Sequence, residues 1–430
     1  MRITGANRTF DVEVDLVGSK SESNRVLMIG YYGGFTPRVN NLSTSDDTVL
    51  LKNILNSIVE TMCTSSLHPN LDNPTIIDCH NAGTVLRFMA TALAFRDGEW
   101  ILTGSDRMLQ RPVGDLVDAL RSMGANIEYV GQEGFPPLKI HGKSHVLTDR
   151  VCPPDGVRTS VVNVNITNSS QFASSVLLAK PSHIHLDGDL SSLPYIDMTI
   201  DMMQKYGINV HRDGRDILVQ PSDYQNIEYT IESDWTCASY WYEMVAFSEG
   251  GRARLRNLHL DSKQGDAIVA NWFEQFGVKS IQDGNDVIIE KSVETFPETS
   301  QNNHNRVLQF DFINNPDLYP TIAATCAGLN VEGKFTGLRN LKHKESDRVA
   351  AMVSELSKID TVQTCHGASL PIKFDSHNDH RIAMALAPLA MKIGAIEINN
   401  ADVVSKSYPN FWEEISGRNL TNCSSVPKVH

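Results

Sequence analysis

Apolar positions recur at helical spacing in four stretches that end in similar ways. RPVGDLVDALRSMGANIEYV (111–130), PYIDMTIDMMQKYGINVHR (194–212), QGDAIVANWFEQFGVKSIQ (264–282) and DRVAAMVSELSKIDTVQTC (347–365) each read as an apolar helical stripe followed by a short alternating strand. In the first three the change of period falls at a glycine, and in the fourth at Asp360. Glycine takes the left-handed conformation that closes a helix, so these positions are predicted helix ends. A spacing of roughly 70–85 residues predicts one supersecondary unit used several times.

Between these copies lies a second set of apolar helices that open on small polar residues. GSKSESNRVLM (18–28) has Ser19 and Glu22 at capping-box spacing, and NAGTVLRFMATALAF (81–95) opens on Asn81. NSSQFASSVLLA (168–179) opens on Asn168 or Ser169, and NDHRIAMALAPLAMK (378–392) on Asn378. The resulting order is strand, helix, strand, helix, strand, strand, an α/β class. With no Gly/Ser-rich linker, a domain boundary must be a short hinge. A new apolar helix in IESDWTCASYWYEMVAF (231–247) puts a crossing near residue 232, and the first strand is a candidate member of the C-terminal half.

Size supports this division, since 430 residues exceed one ordinary core. No run approaches the ~20 apolar residues of a membrane span. The opening MRITGANRTFDVEV alternates like a strand and lacks an apolar signal core, so a cytoplasmic location is expected. Seven cysteines stand singly, without CxxC or zinc spacing, and read as buried thiols. A net charge of −13 argues against nucleic acid as a partner. An anionic small molecule would have to be held by local clusters of Lys and Arg.

Helix N-termini attract anions through exposed N–H groups and the helix dipole. Three of the four openings above carry an arginine in the first turns: Arg25, Arg87 and Arg381. Lys20 flanks the capping box, Arg111 precedes Pro112, and Lys406 lies in SKSYPNF. Lys344 and Arg348 stand at i and i+4 of a predicted helix start. Taken singly, each reads equally as a solvated surface charge. Asp317, after Asn-Asn-Pro, is either an N-cap or a general base. Glu345 lies beside Lys344, a cation able to hold it and tune its proton affinity. In HNDHRIAMAL (377–386) two histidines suggest a metal, but no second His/Cys cluster has ligand spacing and Arg381 is adjacent. No metal or cofactor is expected; GxxxxGK[ST], GxGxxG and GxSxG are absent.

GSKSESNRVLM, NAGTVLRFMA, LTGSDRMLQRPVGDLVDALRSMGA, SSQFASSVLLAKP, LKHKESDRVAAM, NDHRIAMA and KSYPNFWEEI, in this order, resemble the 5-enolpyruvylshikimate-3-phosphate synthases (3-phosphoshikimate 1-carboxyvinyltransferases) over about residues 5 to 415. The resemblance implies two similar domains, each of three βαβαββ units in an inside-out α/β barrel. It implies a first domain at 20–232 on the shikimate 3-phosphate side, a second at 1–19 and 233–430 on the phosphoenolpyruvate side, and a ligand cleft between them. The implied reaction carries the enolpyruvyl group of phosphoenolpyruvate to the 5-hydroxyl of 3-phosphoshikimate and releases phosphate.

Residue by residue, the resemblance places Ser21, Arg25, Ser169, Ser170, Ser192, Asn340 and Lys344 on 3-phosphoshikimate, with Tyr195 a possible addition. It places Asn81, Gly83, Arg111, Arg348, Arg381 and Lys406 on phosphoenolpyruvate, and Lys20 and Gln171 on both. Asp317 would be the base, Glu345 and Lys20 the proton carriers at the methylene carbon, and His380 a neighbouring relay group. Departures are Phe88 for the usual Pro, which bears on the phosphoenolpyruvate pocket and glyphosate sensitivity, Leu193 for a Lys, and a bulkier helix at 234–247. The sister transferase that uses UDP-N-acetylglucosamine usually has a cysteine in the loop read here as SDRMLQRP. A non-catalytic homologue would not need Lys20, Asp317 and Glu345 together. No heptad or long apolar stripe is present, so a monomer is expected.

Overall fold

The computed structural model describes residues 1–4, 9–64, 74–144, 161–292, 307–363, 371–417 and 422–424. The chain forms two compact units. An N-proximal unit comprises Lys20–Ser43 and Asp47–Ile231, and a C-proximal unit comprises Met1–Ser19, Thr44–Asp46 and Glu232–His430.

In the N-proximal unit one sheet orders its strands Thr75–Asp78, Gly98–Thr103, Leu138–Gly142, Asn126–Tyr129. The first two are parallel and the remaining pairs antiparallel. A parallel pair needs a crossover, supplied by the helix Gly83–Ala94; the helix Gly114–Ser122 follows the second strand. A second sheet repeats the plan with Val162–Asn165, His183–Asp187, Asp216–Val219 and Val210–Asp213, joined by helices Gln171–Leu178 and Leu193–Lys205. Helices Lys20–Gly33 and Asp46–Thr64 accompany a parallel pair, Arg38–Asn40 and Glu228–Thr230.

The C-proximal unit uses the same plan with borrowed strands. Thr9–Val14 lies parallel to Gly250–Leu255, in register Thr9↔Gly250 to Val14↔Leu255, and so acts as first strand for the helix Trp235–Phe247. Arg2–Thr4 lies between Ile396–Asn399 and Asn422–Ser424 and supplies the last strand of another repeat. Leu308–Asp311 and Gly333–Thr336 form a parallel pair with helices Tyr319–Leu329 and Arg348–Gln363. Among the described residues, four repeats show the full βαβαββ order and two show a parallel pair with two helices.

Each unit has its own apolar core. Every residue of Trp235–Phe247 is buried, so this helix is apolar on all sides rather than on one stripe. The sheets bury one face, as in Leu138–Gly142, where alternate residues are buried.

The three glycines predicted to end helices do so in the left-handed region: Gly124 at φ 93°, Gly207 at 89° and Gly277 at 77°. Asp360 does not end its helix, which runs on to Gln363. An aspartate pays for the left-handed conformation with a Cβ clash, and nothing else in IDTVQ stops the helix there. Among the openings, Asp379 caps His380–Leu386, its side chain accepting from the Arg381 amide at 3.0 Å. Asn378 was the expected cap, but it sits at φ 54°, outside the cap conformation. Asn81 is displaced likewise, with Ala82 at the cap position of Gly83–Ala94. The Ser19 amide donates to the Glu232 carbonyl, and Glu22 accepts from the Tyr229 hydroxyl at 3.0 Å. Cys79, Cys237 and Cys326 are buried free thiols, while Cys63, Cys152, Cys365 and Cys423 lie outside the described side chains.

Candidate active site

In the C-proximal unit four basic side chains converge on three carboxylates. Asp317 stands in the turn Pro316–Leu318, where two prolines at 316 and 320 fix the entry into Tyr319–Leu329. Its Oδ1 accepts from Arg348 Nη1 at 2.7 Å and lies 3.2 Å from Lys344 Nζ, and its Oδ2 accepts from Arg381 Nη2 at 2.8 Å. Arg348 is the hub. Only 1% exposed, it also donates through Nε to Asp379 at 2.8 Å and through Nη2 to Glu345 at 2.9 Å. Lys406 Nζ closes the group on the other Glu345 oxygen at 3.0 Å.

Burial alone would raise the Asp317 pKa, but Arg381, Lys344 and Arg348 outweigh it and hold this carboxyl well below the usual range. Burial would lower Arg348, and Asp379, Asp317 and Glu345 more than reverse that, so its guanidinium stays charged. An anionic ligand therefore meets charged cations whose present partners are internal acids. It can bind by taking over their N–H donors.

One sequence expectation is corrected here. Lys344 and Arg348 do not share a helical turn, because the helix begins at Arg348 and Lys344 is extended. They meet on Asp317 instead. Glu345 is held by Arg348 and Lys406. His380 is buried, with Nδ1 3.6 Å from Asp379. His377, read as loop, binds the buried Glu355 at 2.9 Å. Asn340 is half-buried in the short helix Arg339–His343.

The N-proximal unit holds a second set. Lys20 begins the helix Lys20–Gly33 and lies 3.3 Å from Asp47. Arg25, one turn on, is buried and spans four oxygens: Thr199 Oγ1 at 2.7 Å, the Ser21 carbonyl at 2.8 Å, the Tyr195 carbonyl at 2.9 Å and Ser174 Oγ at 3.1 Å. Burial lowers its pKa to about 10, which leaves it cationic near neutrality. Tyr195 thus contributes its carbonyl here. Ser192 precedes the helix Leu193–Lys205 at φ 53°, an unusual conformation for serine and one that recurs at functional sites.

Gly83 opens a helix into a space shared by two guanidinium groups. A Cβ there would stand 2.6 Å from Arg87 Nη1 and 2.7 Å from Arg111 Nη1, so both arginines depend on the missing side chain. Gln171 joins them, accepting from Arg87 Nη1 at 2.8 Å and donating to Thr84 Oγ1 at 3.0 Å. Ser170, buried and without a side-chain cap bond, holds the cap position in place of the expected Asn168 or Ser169; Ser169 accepts from the Gln171 amide at 3.2 Å and Asn168 bonds Asp115. The Phe88 ring is buried, with the Arg25 guanidinium carbon 5.8 Å from its centroid.

Sequence reasoning did not pair Arg87 with Gln171, nor single out Asp47, Asp379 and Thr199 as partners. Only the paired acid next to HRI offered a signal, the N-cap preference for aspartate. Among the described residues no group of three or more His, Cys, Asp or Glu is arranged to hold a metal ion. No helix there is long and apolar enough to cross a membrane.

The sequence profile of EPSP synthase (3-phosphoshikimate 1-carboxyvinyltransferase) matches residues 6–415. The chain belongs to the EPSP synthase family. It is 34% identical over 424 residues to a 3-phosphoshikimate 1-carboxyvinyltransferase of Bacteroides fragilis, covering 94% of each chain. It is 33% identical to one of a Sulfurovum species, covering 94% of this chain and 96% of the relative. A solved EPSP synthase structure from Acinetobacter baumannii superposes with a TM-score of 0.69 at 21% identity, over 99% of both chains, and shares the fold. With this family goes transfer of the enolpyruvyl group from phosphoenolpyruvate to 3-phosphoshikimate, in aromatic amino acid biosynthesis. UDP-N-acetylglucosamine is not the acceptor that the family or these relatives name.

Proposed function

We infer that the two sets of residues serve one pair of substrates, with Asp317 as the base at the 5-hydroxyl of 3-phosphoshikimate. The observation that carries this is the triple contact of Asp317 with Lys344, Arg348 and Arg381. So held, the carboxylate is a weak base. Substrate phosphates and carboxylates compete for those same cations, and each cation drawn off raises the proton affinity of Asp317. The base is therefore strengthened by the binding that delivers its proton.

In this reading Arg111, Arg348, Arg381 and Lys406 hold phosphoenolpyruvate, with Asn81 and the backbone at Gly83. Ser21, Arg25, Ser169, Ser170, Ser192, Asn340 and Lys344 hold 3-phosphoshikimate, and Lys20 and Gln171 reach both. The 5-hydroxyl gives its proton to Asp317 as its oxygen bonds to C2 of phosphoenolpyruvate. C3 gains a proton from Lys20 or Glu345 and becomes a methyl group. The tetrahedral intermediate then loses phosphate from C2 and a proton from that methyl, which restores the vinyl group. His380, buried beside Asp379, is a neighbouring relay. The protein works as a cytoplasmic monomer.

A phosphate-release assay tests the reading. Release should require phosphoenolpyruvate and 3-phosphoshikimate together. Release with UDP-N-acetylglucosamine in place of the latter, or none with either pair, would overturn it.

A further inference from the structure

A further buried carboxylic acid of the C-proximal unit bonds the residue that opens the Asp317 turn, and the reaction as derived does not use it. Asp266 sits in the single turn Gly265–Ile268 and is 4% exposed. Its Oδ2 accepts from Thr236 Oγ1 at 2.5 Å, and its Oδ1 faces Asn315 Nδ2 at 3.5 Å. Asn315 is the residue that opens the turn carrying Asp317, and Thr236 lies in the first turn of Trp235–Phe247. The charged groups facing Asp266 are Asp317 from its turn, Arg381 from the helix His380–Leu386, and Asp234 from the cap of Trp235–Phe247. Burial pushes its carboxyl up to about 6, Asp317 adds to the rise, and Arg381 and the Thr236 hydroxyl oppose it.

We propose that Asp266 is a positioning residue for the transfer reaction: held by Thr236, it steadies Asn315 at the turn that presents Asp317, and its negative charge opposes the cations that grip that base. The inference rests on Asp317 being the base. A carboxylate gripped by three cations needs compensation, and a like charge close by in a buried site provides it. The ionised form of Asp266 gives this help and the protonated form does not. Activity therefore falls as pH drops through the range where Asp266 takes up its proton.

The test is a pair of pH–rate profiles on the full-length enzyme with phosphoenolpyruvate and 3-phosphoshikimate. Wild type should lose kcat on the acid side of about pH 6. Asp266→Asn should have kcat lowered about tenfold or more at pH 7.5, with both KM values within about threefold, and should lack that acid limb. A profile that superimposes on wild type after scaling overturns the proposal. If Asp266→Asn does not fold, Thr236→Val carries the test. Loss of the hydroxyl that stabilises the carboxylate should move the acid limb to higher pH, and an unmoved limb overturns the proposal. If Asp317→Ala keeps its turnover, the base assignment itself fails. If Asp317→Ala is inactive while the Asp266→Asn profile is unchanged, this inference alone fails.

Discussion

Asp317 owes its charge state to three residues that are distant in sequence. Arg348 lies 31 positions away and Arg381 64. Asp317→Ala should lower kcat by about 10²–10⁴, as for loss of a general base. Apparent affinity for phosphoenolpyruvate should hold or improve, because the cations lose an internal competitor. Steady-state kinetics settle this, and turnover surviving within about tenfold, or roughly 1.4 kcal/mol, would remove Asp317 from the chemistry. The residues themselves were legible in the motifs. Their pairing was not, since neighbours in sequence such as Lys344 and Glu345 point to different partners. Glu243 was invisible altogether. It is fully buried in Trp235–Phe247, neither carboxyl oxygen has a hydrogen-bond partner among the described residues, and burial raises its pKa well above 4.5. A folded pKa above the unfolded one means that stability is fully present below about pH 4.5 and is lost as pH rises. Glu243→Met should therefore stabilise the protein by about 1–3 kcal/mol or more. In urea unfolding, its advantage over wild type should be wider at pH 8 than at pH 5.

Helix ends behave as the glycine pattern predicts wherever glycine is present. Gly207 combines a φ of 89° with Gln225 packed where a Cβ would go, 2.8 Å from its Cδ. Gly207→Ala should cost about 1–2 kcal/mol from the left-handed conformation alone. A matching fall in thermal midpoint should leave kcat unchanged, since Gly207 lies outside both residue sets. Helix starts were harder to read. Asn378 and Asp379 are both good caps by residue type, and the choice between them depends on a backbone angle that the surrounding chain imposes. At Asn81 and Ala82 residue type points the wrong way, since asparagine is the better cap and alanine holds the position. Period and glycine are local signals, whereas cap selection depends on tertiary context, so repeats were readable to within a turn and caps were not.

The whole molecule is an insertion. The N-proximal unit is nearly continuous in sequence, and the C-proximal unit draws strands from both ends of the chain. Deleting residues 1–14 should remove strands from two sheets of the C-proximal unit and leave the N-proximal one intact. Limited proteolysis of that deletion variant should yield a stable fragment near Lys20–Ile231 and no stable fragment from residues beyond 232. Survival of a C-proximal fragment would show that the borrowed strands are dispensable. Periodicity announced the unit and its strand order, while three units per domain came only with the resemblance; the opening alternation placed the first strand with the C-terminal half, but did not show that Arg2–Thr4 and Thr9–Val14 are lent to two different sheets.

That loan imposes an order on synthesis. Thr9–Val14 cannot find Gly250–Leu255 until the ribosome has made the intervening chain, about 240 residues or some 10–50 s at ordinary elongation rates. Throughout that wait this strand stands unpaired, the kind of surface that recruits other chains. The strand reads TFDVEV, with Asp11 and Glu13 on its exposed side. In the finished protein these acids pair with Arg252 and Arg256. Before that partner strand exists, the same two charges repel like strands on neighbouring polysomes and keep the edge available for its late-arriving match.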